Sequence, residues 1–254
     1  MKLVLASDIH GNIKHAEKIA EIANKNNAAV IIAGDFMIGT VDNPEERFSE
    51  ILKILSGCKK NVYVIPGNYE TFTSYMQVID EKYKNIIDIN KRIVDLKDFY
   101  LAGYGGGNEI YGYVVGKTYF KINPELDKLI IEKMIKKSDK PVVFVSHIPP
   151  YSYLDTAIFR IDEKGAFHSA KVGEPGAQIK VAGNKILKTL IEKHKPMLCV
   201  FGHIHESAGG YMELFNHKKK EESKNMLVNP GPEKVFLVGI NDNKVKILNA
   251  ISVD

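Results

Sequence analysis

The residues able to do chemistry sit at the ends of short apolar runs. Lys2-Leu3-Val4-Leu5-Ala6 leads into Ser7-Asp8-Ile9-His10-Gly11. Residues 29–33 lead into Gly34-Asp35, and residues 62–65 into Pro66-Gly67-Asn68-Tyr69-Glu70. Residues 141–145 lead into Ser146-His147, and residues 197–201 into Gly202-His203-Ile204-His205. Five times an oxygen or nitrogen ligand follows an apolar run, usually beside a glycine that permits a sharp turn. A lone histidine at such a place is ordinarily a satisfied core residue; the repetition is what points to a metal. Asp8, His10, Asp35, Asn68, His147, His203 and His205 offer two carboxylates, one amide, four imidazoles and no thiolate. That set suits manganese, iron, zinc, cobalt or nickel. It exceeds what one tetrahedral site takes and suits two divalent ions sharing a carboxylate. Two ions ~3.5–4 Å apart clamp the attacking and leaving oxygens of a phosphoryl centre and acidify a bound water.

Positioning these residues takes strands. Apolar runs bounded by turn residues read as buried strands, and open α/β sheets bind ligands at the C-terminal ends of their strands. Ile13, Ala16, Ile19, Ala20 and Ala23 recur at helical spacing, so Asp8 to Asp35 spans one βαβ unit. His15 there, and His194 further on, read as exposed helix residues outside the ligand set. A second helix starts at an Asn43 cap with Pro44 in its first turn, carries Phe48, Ile51, Leu52 and Leu55, and stops at Gly57. A third helix is expected over residues 71–83.

Two short strands flank a tight turn at Lys97-Asp98. Gly105-Gly106-Gly107 reads as a connector, because no lysine-bearing helix follows as a phosphate-binding loop requires. Asn123-Pro124 opens a helix with Leu126, Leu129, Ile130, Met134 and Ile135 at helical positions. Residues 151–183 form the least regular stretch and are expected to make a wall or lid of the site. Residues 184–194 form a helix ended by Pro196, and His217 to Lys224 read as a solvated hairpin tip. The strands expected at 211–215, 226–229, 235–240 and 244–253 are linked by hairpins, with Asn241-Asp242-Asn243 as one turn. Helix-linked strands followed by hairpin-linked strands predict an α/β fold of two sheets face to face, helices outside, in one domain over residues 1–254.

Composition sets the bounds. A chain of 254 residues with 44% apolar and 26% charged residues is that of a globular protein able to bury a substantial core. A formal charge of +4 slightly favours phosphate-bearing substrates and is no argument for nucleic acid. Cys58 and Cys199 do not make a disulfide framework, and Cys199 reads as a buried thiol. No apolar run approaches the ~20 residues of a bilayer span, and the first strand already carries a ligand, which excludes a cleaved leader. A cytoplasmic protein without a membrane partner is expected.

As a set, Asp8-x-His10, Gly34-Asp35, Gly67-Asn68-x-Glu70, Ser146-His147 and Gly202-His203-x-His205 resemble the motifs of the calcineurin-like metallophosphoesterases, in order and spacing, over residues 1 to about 232. The resemblance implies a four-layer αββα sandwich of two mixed sheets. It implies that Asp8, His10 and His205 hold one metal, that Asn68, His147 and His203 hold the other, and that Asp35 bridges. A metal-bound hydroxide would then attack phosphorus in line, with Glu70 orienting a ligand or loop. Asn229-Pro230-Gly231 resembles the late Asn-Pro-Gly turn of the family, a structural element.

One position departs from the pattern. The family usually has Gly-Asn-His where this chain has Gly67-Asn68-Tyr69. A phenol of pKa ~10 donates hydrogen bonds but shuttles protons poorly at neutral pH. Tyr69 suffices for substrates with good leaving groups, or His168 reaches in from the irregular stretch as the acid. A third outcome is a catalytically weakened, metal-binding interaction module. Within the family, Gly202-His203-Ile204-His205-Glu206-Ser207 and Ser146-His147-Ile148-Pro149-Pro150 look closest to small prokaryotic phosphodiesterases and their cyclic-nucleotide relatives, which implies a small-molecule or cyclic nucleotide diester as substrate. A nuclease is disfavoured, since no basic strip interleaved with aromatics is visible.

Overall fold

The computed structural model of the chain describes residues 1–37, 44–79, 82–107, 120–136, 139–163 and 167–253. In chain order the strands are β1 (Lys2–Ala6), β2 (Ala29–Ile32), β3 (Val62–Val64), β4 (Ile86–Asp88), β5 (Ile93–Leu96), β6 (Phe99–Tyr104), β7 (Val142–Ser146) and β8 (Thr156–Ile161). They continue as β9 (Phe167–Ser169), β10 (Gln178–Val181), β11 (Leu198–Val200), β12 (Gly210–Glu213), β13 (Glu222–Ser223), β14 (Met226–Asn229), β15 (Lys234–Asn241) and β16 (Lys244–Ser252). The helices are α1 (Ile13–Asn26), α2 (Pro44–Leu55), α3 (Phe72–Ile79), α4 (Lys128–Ile135) and α5 (Lys185–His194).

Two mixed sheets form, in the orders β13-β16-β15-β1-β2-β3-β4 and β12-β14-β11-β7-β6-β5. Alternation along the strands decides how they pack. Leu3, Leu5, Ile31 and Ile65 of the first sheet region face Leu101, Val143, Val145, Val200 and Val228 of the second. The intervening Val4, Ala6, Val30 and Val62 point outward onto Ile19 and Ile22 of α1 and Phe48, Ile51 and Leu52 of α2. On the far side Phe144, Cys199 and Leu227 meet Ile131 and Met134 of α4 and Leu187, Leu190 and Ile191 of α5. Both sheets are thus covered on both faces, which is why their central strands read as unbroken apolar runs. The result is the expected αββα sandwich. Each large core side chain contributes roughly 1.5–3 kcal/mol of burial.

The local signals behave as chemistry dictates. Asn184 caps α5, its Oδ1 accepting from Ile186 N and Leu187 N at 2.8 and 3.0 Å. Leu96 faces Phe99 across the Lys97-Asp98 turn. Asn241 faces Lys244 around Asp242 and Asn243, both with positive φ (49° and 56°), as a twisted two-residue hairpin demands. The N–H groups of Gly105, Gly106 and Gly107 go to Asn90 Oδ1, Pro66 O and Phe120 O, leaving no phosphate cradle there. The Asn43 cap lies outside the described residues.

Three expectations need correction. Residues 151–183 are not merely irregular: β10-β8-β9 make a separate three-stranded antiparallel sheet. Its glycine-rich connections hide the β-branched and aromatic residues of Thr156–Ile161. His15 is fully buried rather than exposed, because residues 15, 19 and 22 share one face of α1 and Ile19 and Ile22 are core. Leu126, Leu129 and Ile130 are exposed (81, 77 and 44%), and α4 buries Ile131, Met134 and Ile135 instead. Among the described residues no helix is long and apolar enough to cross a membrane.

Candidate metal centre

Every ligand-bearing loop leaves the C-terminal end of a strand. β1, β2 and β3, parallel neighbours in one sheet, deliver Asp8, Asp35 and Asn68. β7 and β11, parallel neighbours in the other, deliver His147 and the pair His203 and His205. The loops are tied to one another through the backbone, Asp8 N donating to Gly34 O at 2.9 Å and His10 N to Asp35 O at 3.0 Å.

The structure brings the seven candidate side chains together in two groups. Ligand atoms of Asp8, His10 and His205 lie within 4.8 Å of one another, as do those of Asp35, His147 and His203. His10 Nε2 is 3.0 Å from His205 Nε2, and Asp8 Oδ1 is 3.4 Å from His205 Nε2. Asn68 Oδ1 lies 2.9 Å from both His147 Nε2 and His203 Nδ1. Asp35 Oδ2 stands between the groups, 3.3 Å from His147 Nε2 and 3.9 Å from His10 Nε2.

Outer contacts aim these ligands. His10 Nδ1 and His147 Nδ1 donate to the carbonyls of Met37 (2.9 Å) and Ala33 (2.7 Å), which turns both Nε2 atoms toward the cluster. Neither carbonyl has a signature in sequence. Glu70 is buried and accepts from Asp35 N and Met37 N at 3.1 Å each, and from Gly67 N. One carboxylate therefore fastens the Asp35 loop to the Asn68 loop. Burial and the neighbouring Asp35 push Glu70 up to about 8, against the pull of its N–H donors.

Gly67 and Gly202 serve close approach, whereas Gly11 and Gly34 turn the chain with positive φ (73° and 88°). A Cβ on Gly67 would stand 2.0 Å from Asp35 Oδ1, and one on Gly202 2.2 Å from Asp8 Oδ2. Several ligands turn as well: Asp8, His10, Asp35 and His203 all have positive φ (53°, 47°, 54° and 68°). Such backbone costs about 1–3 kcal/mol per residue and persists where the surroundings impose it.

The electrostatics call for a cation. Asp8 and Asp35 are fully buried, and among the described residues their only ion-pair partners are imidazoles. Burial alone would raise both carboxyls, yet the adjacent histidines hold both below the usual range, His205 acting on Asp8 and His147 on Asp35. Burial lowers His147, but Asp35, Asp8 and the Ala33 carbonyl together outweigh it and lift the imidazole to about 9. Burial and the nearby His147 charge push His203 down to about 3. His147 must use Nδ1–H on Ala33 O, so a proton on Nε2 toward Asn68 makes it an imidazolium. That proton occupies the place a cation fits. The side chain Nδ2 of Asn68 and Nε2 of His203 are buried without a partner, again as in a site shaped for a further group. The donor set fits divalent metals of the manganese-to-zinc series.

The remaining predicted residues differ in placement. Tyr69 N donates to Asp35 Oδ1 at 2.9 Å, and its half-buried ring meets the His10 ring edge-on at 5.4 Å. His168 lies on β9, opposite Arg160 of β8, with its Nε2 2.8 Å from Asp162. It is not among the residues whose ligand atoms converge.

An αββα sandwich with two candidate metal groups on one edge defines the class, a metal-binding phosphoesterase fold. The chain belongs to the calcineurin-like phosphoesterase family, which matches residues 1–207. A search of curated proteins returns no match. Among solved structures, TT1561 of Thermus thermophilus is 16% identical, covers 100% of this chain and 99% of its own, and aligns with a TM-score of 0.69. Another is 14% identical over 97% of each chain with a TM-score of 0.71. A novel archaeal phosphodiesterase is 12% identical over 99% of each chain with a TM-score of 0.48. At such identities the likeness to the first two concerns the fold.

Proposed function

We propose that this chain is a dinuclear metal-dependent phosphoesterase acting on small phosphodiesters, cyclic nucleotides included. The observation that carries the reading is the pair of buried carboxylates, Asp8 and Asp35, with only imidazoles as counter-charges among the described residues. Buried charge is expensive unless it is paired, and a divalent ion in each group would neutralise the carboxylate there and leave positive charge for an anionic phosphoester. In this reading Asp8, His10 and His205 would hold one ion and Asn68, His147 and His203 the other, with Asp35 shared between them. Ions of the manganese, iron, zinc, nickel or cobalt type would supply neutralisation of phosphoryl charge and activation of water.

The protein's own residues do the rest. Glu70 keeps the Asp35 and Asn68 loops in register, and the Met37 and Ala33 carbonyls fix the tautomers of His10 and His147. Tyr69, beside His10, offers a hydroxyl to the departing oxygen. A phenol donates a hydrogen bond without releasing its proton readily near neutral pH, so the site favours substrates whose leaving group needs little protonation. That is the basis for preferring activated diesters. His168, engaged with Asp162, is the weaker candidate for the acid.

The test is an assay of bis-p-nitrophenyl phosphate against p-nitrophenyl phosphate after chelation and readdition of Mn²⁺, Ni²⁺ or Mg²⁺. Metal-dependent turnover, faster on the diester, is expected. Absence of metal-dependent turnover of either substrate overturns the proposal. Tyr69 also supports a second reading, a metal-binding interaction protein without turnover. A Tyr69→His variant that remains inactive, together with a stable partner recovered with the protein, would favour it.

A further inference from the structure

Asn229 lies beyond the region matched by the family and holds none of the candidate ligands. It is fully buried at the end of β14. Its Nδ2 donates to Ile204 O at 3.1 Å and to Leu154 O at 3.4 Å, while its Oδ1 is buried with no partner. An unsatisfied buried acceptor costs about 1–3 kcal/mol, and an apolar residue of similar volume would avoid that cost. The amide is explained by its donor side.

What the donor side holds is specific. The Ile204 carbonyl belongs to the peptide plane that also carries the backbone nitrogen of His205. Ile204 precedes the short 3-10 turn His205–Ser207, so fixing this plane sets the direction in which the His205 imidazole leaves the chain. Two residues further along, Gly231 N donates to Ser7 Oγ at 2.9 Å. Ser7 immediately precedes Asp8, whose φ of 53° is imposed by its surroundings. The turn at 229–231 thus grips the neighbours of Asp8 and His205, ligand candidates in the same group and 197 residues apart. Ile204 also follows His203 of the other group, but the gripped carbonyl shares its peptide plane with His205, and among the described residues neither Asn229 nor Gly231 hydrogen-bonds to the neighbours of Asp35, Asn68 or His147.

We propose that Asn229 is a positioning residue for the metal held by Asp8, His10 and His205, and not for its companion. This rests on the two-ion reading given above. Loss of an outer contact of this kind typically lowers metal affinity by about 10–100-fold, and here the loss should be confined to one ion.

Chelator-stripped protein is titrated with Mn²⁺ by calorimetry, as wild type, Asn229→Asp and Asn229→Ala. His205→Ala and His147→Ala identify which of the two binding steps belongs to which group. Asn229→Asp is isosteric and places an oxygen against the Ile204 carbonyl. The expected result is one step weakened by about 10–100-fold, the same step that His205→Ala removes, with the other within about twofold of wild type. Equal weakening of both steps, no weakening, or weakening of the step that His147→Ala removes overturns the proposal. So does loss of the folded circular-dichroism spectrum in EDTA by both Asn229 variants, since the contact would then serve the fold. Fewer than two Mn²⁺ on the wild-type protein would instead defeat the two-ion reading.

Discussion

The imidazoles of His10 and His205 face each other nitrogen to nitrogen, 3.0 Å apart, across 195 residues of sequence. Because His10 Nδ1 donates to Met37 O, its Nε2 is the atom turned toward its partner. Two strand ends in different sheets are spent on bringing basic nitrogens together beside a buried aspartate. The arrangement makes sense around an electrophile.

Asp35 is the side chain within reach of both groups. Asp35→Asn keeps the shape and removes the shared charge. Metal analysis of the purified variant should show loss of at least one ion per chain. Retention of two would contradict the bridging role.

Glu70 satisfies buried N–H groups of Asp35, Met37 and Gly67. Glu70→Ala leaves these donors unpaired at about 1–3 kcal/mol each. Thermal unfolding in EDTA should fall by several degrees, and metal content should fall with it. An unchanged midpoint would show that water replaces the carboxylate at no cost.

His15 predicts a pH dependence. Its ring is buried with both nitrogens unpartnered, and burial pushes its pKa from 6.5 down to about 4. Below pH 6.5 the unfolded chain takes up a proton that the folded chain refuses until about pH 4, so stability is lost as pH falls through that window. His15→Leu removes the term. Its stability advantage over wild type in EDTA should grow by about 1.5 kcal/mol from pH 6.5 to pH 5. A constant difference between the two proteins would mean that His15 does not carry it.

Tyr69 governs leaving-group preference. Tyr69→His should raise turnover of diesters with poor leaving groups by up to ~10²-fold and change good ones little, since general acid help matters only where protonation limits the rate. Equal effects on both substrate types would remove Tyr69 from the leaving-group side of the reaction.

Much of this is readable in the chain. Apolar runs ending on Asp8, Asp35, Asn68, His147 and His203 signal strands and ligands together, because a strand buried on both faces has nowhere to put a polar side chain except at its end. The sandwich follows from helix-linked strands giving way to hairpins. What stays hidden depends on tertiary placement. The positive φ of Asp8, His10, Asp35 and His203 is imposed by neighbouring loops, and no local residue pattern announces it. Gly67 and Gly202 look like turn residues but are selected by carboxylates pressed against them. His15 reads as exposed only while Ile22 is left out of the apolar stripe of α1. The β8–β10 sheet is masked by its glycine-rich connections, and Asn229 shows only as part of a turn.

The most direct test is an anomalous difference map from crystals of the wild-type protein grown with Mn²⁺. The account predicts two peaks ~3.5–4 Å apart, one beside Asp8, His10 and His205, the other beside Asn68, His147 and His203, with Asp35 touching both. A single peak, or none among these side chains, would contradict it.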